Sequence, residues 1–438
     1  MTSWDLLAGP STAAPTVQLT TATDRRLGFK LTDPSTLGFT INGRHEEALD
    51  LVELATDVHA LRDGVPLFTG RLGSTSDALD GTTHAVTCNA ADVRALLARR
   101  LTTAARNYSG ADVATFVADM FNDAQAAPSV GTSGANLRIT VPAFPATGRT
   151  ITRTSKRWAP IATELAEAAG GVDNGASVFD YDVSPGWQAP TARLWTPGRG
   201  RDLTSGPSSV VLDYTFDPSA PRSSIVASIT RGLDPGEYAN VLRVTGGSTT
   251  TSNLSAAAAD YAIRHADGVG SITGVQYGQE DDPTTPEDES TPPTFEVTIT
   301  TTPVTLSDGS SVWDIGVWAL AEDHPEFTTQ SALDAYAASR LRELGRAAPS
   351  YTVKLRRNAW GGPEHVWLGD RVRLVIRSGR LVEDVALRVR EVNVTLGASG
   401  EEDVDLVVGG PVNPGPLTVL RQQARAIAAL RRATSSGS

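Results

Sequence analysis

Short runs that alternate between apolar and polar residues dominate the first hundred positions. The clearest runs are residues 16–19, 27–31, 38–41, 57–62 and 65–72. Alternation of this kind predicts strands with one buried face. The dipeptides Asn42-Gly43 and Asp63-Gly64 fall between runs and favour tight turns. With a helix predicted over residues 91–100, residues 1–105 are expected to form a small antiparallel β-barrel.

The pattern changes to helical periodicity after residue 105. Apolar residues spaced as on one helix face follow Ser109, a possible N-cap. They are Val113, Phe116, Val117 and Met120, and a second such set is Ile161, Leu165 and Ala168, ahead of Gly170-Gly171. Residues 178–183 and 192–195 then resemble paired strands. Residues 106–204 are therefore expected to form an inserted α+β module.

Residues 205–348 combine strands, an acidic loop and a helix. The strands near residues 210–245 are expected to complete the first barrel. Residues 279–293 are rich in acidic residues and proline, which predicts a surface loop. Binding of calcium is the less favoured alternative, because calcium loops use glycine to turn the chain and this stretch contains none. A helix is expected over residues 331–347.

The C-terminal part repeats the alternating pattern and ends in an isolated helix. Residues 349–410 are expected to form the core of a second barrel, and residues 411–438 a hinge and a helix. The helix carries a short heptad-like seam of Leu417, Leu420, Ala424 and Ile427. This seam either packs on its own barrel or drives self-association, and the hinge favours self-association. The resulting fold class is mainly β with α+β insertions: two small antiparallel β-barrel domains, an α+β module and a C-terminal helix.

Composition narrows the class of protein. The chain has 438 residues, a net charge of −12 and one cysteine, Cys88, which cannot form an internal disulfide. The negative charge disfavours a surface that grips nucleic acid, although it would suit a channel through which DNA slides. No stretch has the features of a signal peptide or the length of a membrane span, so synthesis in the cytoplasm is expected.

No combination of residues favours catalysis, a cofactor or a metal site. The stretch starting at His45 lacks the second histidine of a zinc motif, and the glycines at 268–274 miss a dinucleotide fingerprint. His84 and Cys88 share a strand face but lie roughly 13 Å apart along it. Asp180 and Asp182 have a spacing that glycosidases could use, but acidic pairs arise readily among 50 acidic residues. The tryptophan pairs 313/318 and 360/367 suit either a barrel core or a sugar platform.

Three stretches resemble minor tail proteins of long-tailed phages of actinobacteria. Residues 62–72 followed by 86–100 resemble the segment that closes the first barrel in that family. Residues 239–246 are similar to an Asn-x-x-x-Val-x-Gly strand of tail hub proteins. Residues 349–353, running on to the Leu368-Gly369-Asp370 turn, resemble the approach to a second barrel. The family in turn resembles the baseplate hub of contractile phages.

The resemblance implies a structural role at the tail tip of a virion. A homotrimer with two similar barrels per subunit would present a pseudo-sixfold ring, adapting the sixfold tail tube to a threefold tip. The implied partners are the distal tail protein and tube ring, the tape measure protein, other minor tail proteins, DNA passing through the lumen without specific binding, and possible contact with the host surface. The alternatives are a receptor- or carbohydrate-binding tail protein and, less favoured, a cell-wall hydrolase.

Overall fold

The computed structural model describes the chain in segments. The described residues are 2–10, 14–125, 137, 139–169, 172–173, 176–177, 179–187, 190–215, 224–232, 241–246, 255–256, 261–265, 268–273, 300–301, 319–324, 349–379, 381–397 and 400–409. The acidic stretch 279–293, the predicted helix 331–347 and the predicted C-terminal helix lie outside them. No helix within the described ranges is long and apolar enough to cross a membrane.

Strands outnumber helices, which confirms the mainly β fold class. The strands are β1 (Trp4–Pro10), β2 (Val17–Gln18), β3 (Thr23–Lys30), β4 (Thr36–Asn42), β5 (Thr56–Arg62), β6 (Val65–Asp80), β7 (Thr83–Asp92), β8 (Arg106–Asp112), β9 (Thr150–Ser155), β10 (Val172–Asp173), β11 (Ala176–Ser177), β12 (Asp180–Val183), β13 (Ala192–Trp195), β14 (Val211–Thr215), β15 (Val226–Gly232), β16 (Val241–Gly246), β17 (Ser255–Ala256), β18 (Tyr261–His265), β19 (Gly268–Thr273), β20 (Thr300–Thr301), β21 (Ala319–His324), β22 (Ser350–Leu355), β23 (Arg371–Ser378), β24 (Leu381–Leu396) and β25 (Glu402–Gly409). The helices are α1 (Glu46–Leu49), α2 (Val93–Leu97), α3 (Val113–Gln125) and α4 (Ile161–Ala169).

One 13-stranded sheet contains most of the long strands. Its order is β15-β22-β25-β24-β3-β4-β7-β6-β5-β1-β2, with β23 beside β24 and β14 beside β23. The pairing of β3 with β24 joins strands from opposite ends of the chain into a single sheet. The two barrels expected from the sequence are therefore halves of one continuous sheet.

The two halves of this sheet have the same strand order. We call β1 and β3–β7 the N-terminal half, and β14, β15 and β22–β25 the C-terminal half. The order β3-β4-β7-β6-β5-β1 in the first corresponds to β15-β22-β25-β24-β23-β14 in the second, each in the same chain sequence. The difference lies at the end, where β1 pairs antiparallel with β5 but β14 pairs parallel with β23.

The strands near residues 210–245 do not complete the N-terminal half, as the sequence suggested. β14 pairs with β23 and β15 pairs with β22, both in the C-terminal half. Within the described residues, β16 pairs with β17 and β21. The reason is that alternation predicts a strand and its buried face but carries no information about which strand lies beside it.

One hydrophobic core serves both halves of the sheet. It takes inward residues from every long strand, and includes Phe39 and Phe68 from the N-terminal half and Tyr351 and Leu406 from the C-terminal half. Each of these side chains is at most 2% exposed. Burial of this shared core is the main source of stability for the sheet.

The α+β module predicted between residues 106 and 204 has a core of its own. Helices α3 and α4 pack on β8, β9, β12 and β13, with Phe116, Ile161 and Leu165 fully buried. The sequence proposed Ser109 as the cap of α3, but β8 extends to Asp112. Asp112 Oδ1 accepts a hydrogen bond from Ala114 N at 2.8 Å and performs that role.

Residues 172–176 and 233–349 group as a second compact unit. Within it, β16 pairs antiparallel with β17 and parallel with β21. β19 pairs antiparallel with both β18 and β20. Residues 241–246 of the strand expected over 239–246 form β16, and residues 239–240 lie outside the described residues.

A buried carboxylate brings the start of β1 to the start of β25, although these strands are not neighbours in the sheet order. Glu402 Oε1 accepts hydrogen bonds from Trp4 Nε1 at 2.7 Å and from Arg62 Nε at 2.8 Å. The guanidinium of Arg62 lies over the Trp360 ring, 5.3 Å from its centroid. Glu402 is 2% exposed, so this contact is an internal connection between the two chain ends.

Replacing Glu402 by Gln removes the nearest carboxylate from Arg62 and leaves those of Glu364 and Asp63, which lie 3.6 and 3.7 Å from Arg62 Nη1. We expect this variant to lose about 3 kcal/mol of stability, because it breaks the closest and most buried ion pair of the guanidinium. The measurement is the midpoint of urea unfolding followed by tryptophan fluorescence. Arg373→Ala, which breaks an ion pair whose side chains are nearly half exposed, is the control and should change the midpoint little. Equal shifts for both variants would contradict the proposed importance of Glu402.

Candidate functional site

The candidate site is the pair of equivalent sheet halves, in which the central ladders have corresponding registers. β4 pairs with β7 as β22 pairs with β25. Nine buried apolar positions of one half have a buried apolar counterpart in the other. The corresponding pairs are Leu37/Tyr351, Phe39/Val353, Ile41/Leu355, Val58/Val372, Ala60/Leu374, Leu72/Val389, Val86/Val404, Cys88/Leu406 and Ala90/Val408.

The middle strand of each half is unusually long and changes partner midway. β6 and β24 each have 16 residues. The first part of each pairs with the preceding strand and the second part with the following one. The register shifts between Leu72 and Ser74 in β6 and between Val389 and Glu391 in β24. These bulges bend the strands at corresponding places, and Gly73 corresponds to Arg390.

The halves meet where β3 pairs with β24. Leu27 lies opposite Val394 and Phe29 opposite Val392, all of them buried. Lys30 lies opposite Glu391, with Nζ 4.0 Å from the carboxylate. The joint therefore combines ladder hydrogen bonds, an apolar inner face and a weak ion pair at one end.

The Leu368-Gly369-Asp370 turn ties the end of the module to the C-terminal half. Asp370 Oδ1 accepts a hydrogen bond from Arg201 N at 2.8 Å, and Oδ2 accepts one from Trp367 N at 2.9 Å. Gly369 has a φ of +86°, and a Cβ there would lie 2.3 Å from Arg199 O. Only glycine permits this approach of two backbones. The turn noted in the sequence thus has a packing role.

Asp180 and Asp182, a possible catalytic pair in the sequence, are neutralised by arginines. Arg193 binds Asp182 through two hydrogen bonds of 2.7 and 2.8 Å, and Arg199 Nη1 binds it at 2.6 Å. Asp180 accepts hydrogen bonds from Arg199 N and from Arg388, a residue of β24. Burial lowers the pKa of Arg199, with nearby cations adding to the effect. This geometry gives the two carboxylates the task of attaching the module to the sheet.

A cleft of about 230 Å³ lies between the N-terminal half and the module. His59 lines it, with Nδ1 3.0 Å from Thr69 Oγ1, which also accepts a hydrogen bond from Gly186 N at 2.8 Å. The Trp187 ring meets the imidazole edge-on at 5.4 Å. Burial lowers the pKa of His59, so the neutral imidazole is favoured in the folded protein.

The other described residues that the sequence offered as candidates for chemistry pack in the core or bind neighbouring side chains. Cys88 is fully buried, and burial raises its pKa to about 11. His84 lies 2.7 Å from Asp77 instead of reaching Cys88. Trp360 and Trp367 stack at 5.8 Å against the core. No cluster of metal-ligating side chains occurs within the described ranges. The tryptophans 313 and 318 and the seam of Leu417, Leu420, Ala424 and Ile427 lie outside those ranges.

Sequence reasoning missed the importance of Glu402, Arg62 and Arg388. Their contacts join residues hundreds of positions apart, such as Trp4 and Glu402. One available signal was the matching alternation of residues 84–92 and 402–410, which places Cys88 and Leu406 at equivalent positions. An internal alignment guided by this alternation would have indicated the repeat.

Comparisons with known proteins identify the fold. No family model and no curated protein sequence matches the chain. The structure is similar to the crystal structure of a tail protein from Neisseria meningitidis MC58, with a TM-score of 0.53, 11% identity, and coverage of 93% of this chain and 96% of that one. It is also similar to a 43 kDa tail protein of prophage MuSo2 from Shewanella oneidensis, with a TM-score of 0.51, 11% identity, and coverage of 93% and 98%. The chain thus has a phage tail protein fold.

Two glycines with the same backbone angle provide a test of the turn. Gly369→Ala should destabilise the protein by more than about 2 kcal/mol, because strain is added to a clash with Arg199 O. Gly206 also has a φ of +86° but no atom within 4 Å of its would-be Cβ. Gly206→Ala should therefore cost only about 1 kcal/mol. Urea unfolding midpoints measure both, and a larger loss for Gly206→Ala would contradict the packing role.

His59 should make stability depend on pH. Burial lowers the pKa of His59 in the folded protein. As the pH falls, His59 therefore becomes protonated in the unfolded chain at about pH 6.5, before it does so in the folded protein. Stability is therefore fully present above that pH and falls as the pH drops towards the folded pKa. We expect His59→Gln to show a smaller drop in thermal midpoint than the parent between about pH 7.5 and about pH 5.5. An identical drop in both would show that the decrease arises elsewhere.

Proposed function

We propose that the chain is a structural protein of a phage tail that forms the hub of the tail tip. The observation that carries this proposal is the repeated strand order of the two sheet halves. A trimer of such chains contains six similar halves. It can therefore offer six similar surfaces to a sixfold tube while keeping threefold symmetry towards the tip.

The two halves suit such an adaptor because they share the strand order and many buried positions, whereas their outer side chains differ. Inner positions match in burial, as Phe39 and Val353 do, so both halves curve over the same core. Outer residues differ, as Gly38 and Thr352 do. The six equivalent subunits of a tail-tube ring can bind both halves at contacts that depend on the course of the backbone. The different outer side chains then determine which half binds at which position.

The charge of the chain is compatible with DNA passing through such a ring. A net charge of −12 disfavours tight binding to phosphate, and sliding requires weak contact. The expected neighbours are the distal tail protein and tube ring, the tape measure protein and other minor tail proteins, with the host surface as a further contact. This hub belongs to the virion of a siphovirus-type phage in our proposal.

A structural role accounts for the charged and aromatic residues better than catalysis or sugar binding does. The Asp180 and Asp182 carboxylates are held by Arg388, Arg193 and Arg199, which leaves neither poised as an acid or base. Trp367 packs on Trp360 and Phe29 and does not form an open platform. We therefore favour a non-enzymatic function over a hydrolase or a carbohydrate-binding protein.

Light scattering on the purified protein tests the hub directly. We expect the mass of a trimer of the 46.0 kDa chain. A variant that ends before residue 415 tests the seam of Leu417, Leu420, Ala424 and Ile427. A trimer that dissociates on truncation assigns assembly to this segment, whereas one that survives assigns it to the sheet halves. A monomer at all concentrations in both forms would contradict a hub that assembles by itself.

A further inference from the structure

Equivalent segments of β6 and β24 have different surroundings. The second part of β24, residues 391–395, lies between β25 on one side and β3 on the other. The corresponding part of β6, residues 74–78, pairs with β7. Within the described part of the chain, no strand lies along its other edge. Such an edge presents unpaired backbone groups that can add a strand.

Burial along these segments shows the same difference. In β24, the inward side chains of Val392, Val394 and Leu396 are 0%, 1% and 4% exposed, because β3 and its core cover them. Their counterparts in β6, reached through the matched bulges, are Thr75, Asp77 and Leu79. Leu79 is 74% exposed. The inner face that the C-terminal half buries is thus only partly covered in the N-terminal half, where Thr75 is half-buried beside Glu53, and Asp77 and Leu79 are exposed.

The strand that would cover this face has its own counterpart. β3 lies between β4 and β24, and β15 corresponds to β3 in the repeat. Within the described residues β15 pairs with β22, and its other edge carries no strand. The described part of each chain therefore presents both sides of a joint that it also contains once, closed, between β3 and β24.

We propose that β15 of one copy pairs with the second part of β6 of a second copy, in the register of β3 on β24. This proposal rests on the ring proposed above, and it specifies which strands form the contact between subunits. The pairs Arg26↔Thr395, Leu27↔Val394 and Gly28↔Asn393 of the closed joint convert into Thr230↔Ala78, Arg231↔Asp77 and Gly232↔Ser76 between copies. The contact is head-to-tail, so it joins copies in series, and a rotation of one third of a turn at each contact closes the series into the proposed ring.

The side chains brought together by this register are complementary. Arg231 and Asp77, of opposite charge, become directly opposed on the inner face, where such pairs stabilise a ladder. Two residues further along each strand, on the same face, Ile229 lies opposite Leu79 and covers this exposed leucine. In the single chain, Arg231 Nη2 lies 3.8 Å from Glu383 Oε1, and Asp77 Oδ1 lies 2.7 Å from His84 Nε2. Each charged side chain therefore has a polar neighbour in its own chain before the copies meet.

A designed disulfide tests the register. The double variant Ala78→Cys/Thr230→Cys should give linked multimers on a non-reducing gel under mild oxidation, because directly opposed residues have suitable Cα distances. Arg26→Cys/Thr395→Cys is the matched control, at the equivalent positions of the closed joint. It should form an internal disulfide and leave the mass of one chain. Cys88 is buried and does not compete.

A pair of cysteines placed out of register tests whether the disulfides arise from random collisions between chains. Asp80→Cys/Thr230→Cys displaces one cysteine by two residues, about 7 Å along the strand, and should give few multimers. An oligomer that links equally well through both pairs, or through neither, would overturn the register while leaving the ring. A monomer that fails to link would contradict both the interface and the self-assembling hub.

Charge reversal gives an independent readout. Asp77→Arg or Arg231→Asp alone should weaken self-association by about tenfold or more, because like charges then face each other. The two reversals combined should restore most of the mass seen by light scattering. Thermal midpoints of the separated chains show whether each variant is folded. Folded variants whose association is unchanged by either reversal, or not restored by the pair, would overturn the proposed contact.

Discussion

The pairing of β3 with β24 is the constraint on which the rest of the structure depends. It joins strands near the two ends of the chain, so the two halves become one sheet only after most of the sequence has been made. The buried Glu402 strengthens the same connection, since it accepts hydrogen bonds from Trp4 and Arg62. A charge removed from water needs such partners. The cost of burying Glu402 therefore favours the single arrangement in which all three residues meet.

A second set of buried charges holds the inserted module in place. Asp180 and Asp182 lie on β12, but their arginine partners come from the following strand, the 199–201 segment and β24. Gly200 and Gly369 allow the backbones beneath these ion pairs to approach closely. Polar contacts of fixed geometry orient the module, whereas the apolar cores on either side supply most of the stability. The 230 Å³ cleft is the space left between them.

The repeat within one chain connects the fold with the proposed role. Two halves with one strand order give a single polypeptide two regions of similar backbone course, which is the property the proposed symmetry adaptor needs. The halves are not copies in sequence, since Cys88 corresponds to Leu406 and Asp77 to Val394. These differences separate the apolar joint inside the chain from the charged joint proposed between chains. The same strand pairing can thus form the joint within a chain and the proposed joint between chains, and the different side chains prevent either strand from pairing at the wrong joint.

The sequence by itself determined the local elements and their buried faces. Asp63-Gly64 forms the expected tight turn with both φ angles positive, and α4 buries Ile161 and Leu165 as its periodicity predicts. These features depend on residues within a few positions of one another. The tertiary structure alone decided that β14 and β15 join the C-terminal half, that Asp112 caps α3, and that Glu402 meets Trp4. Strand partners and buried ion pairs depend on residues far apart in the chain, and alternation does not record which distant strand will lie alongside.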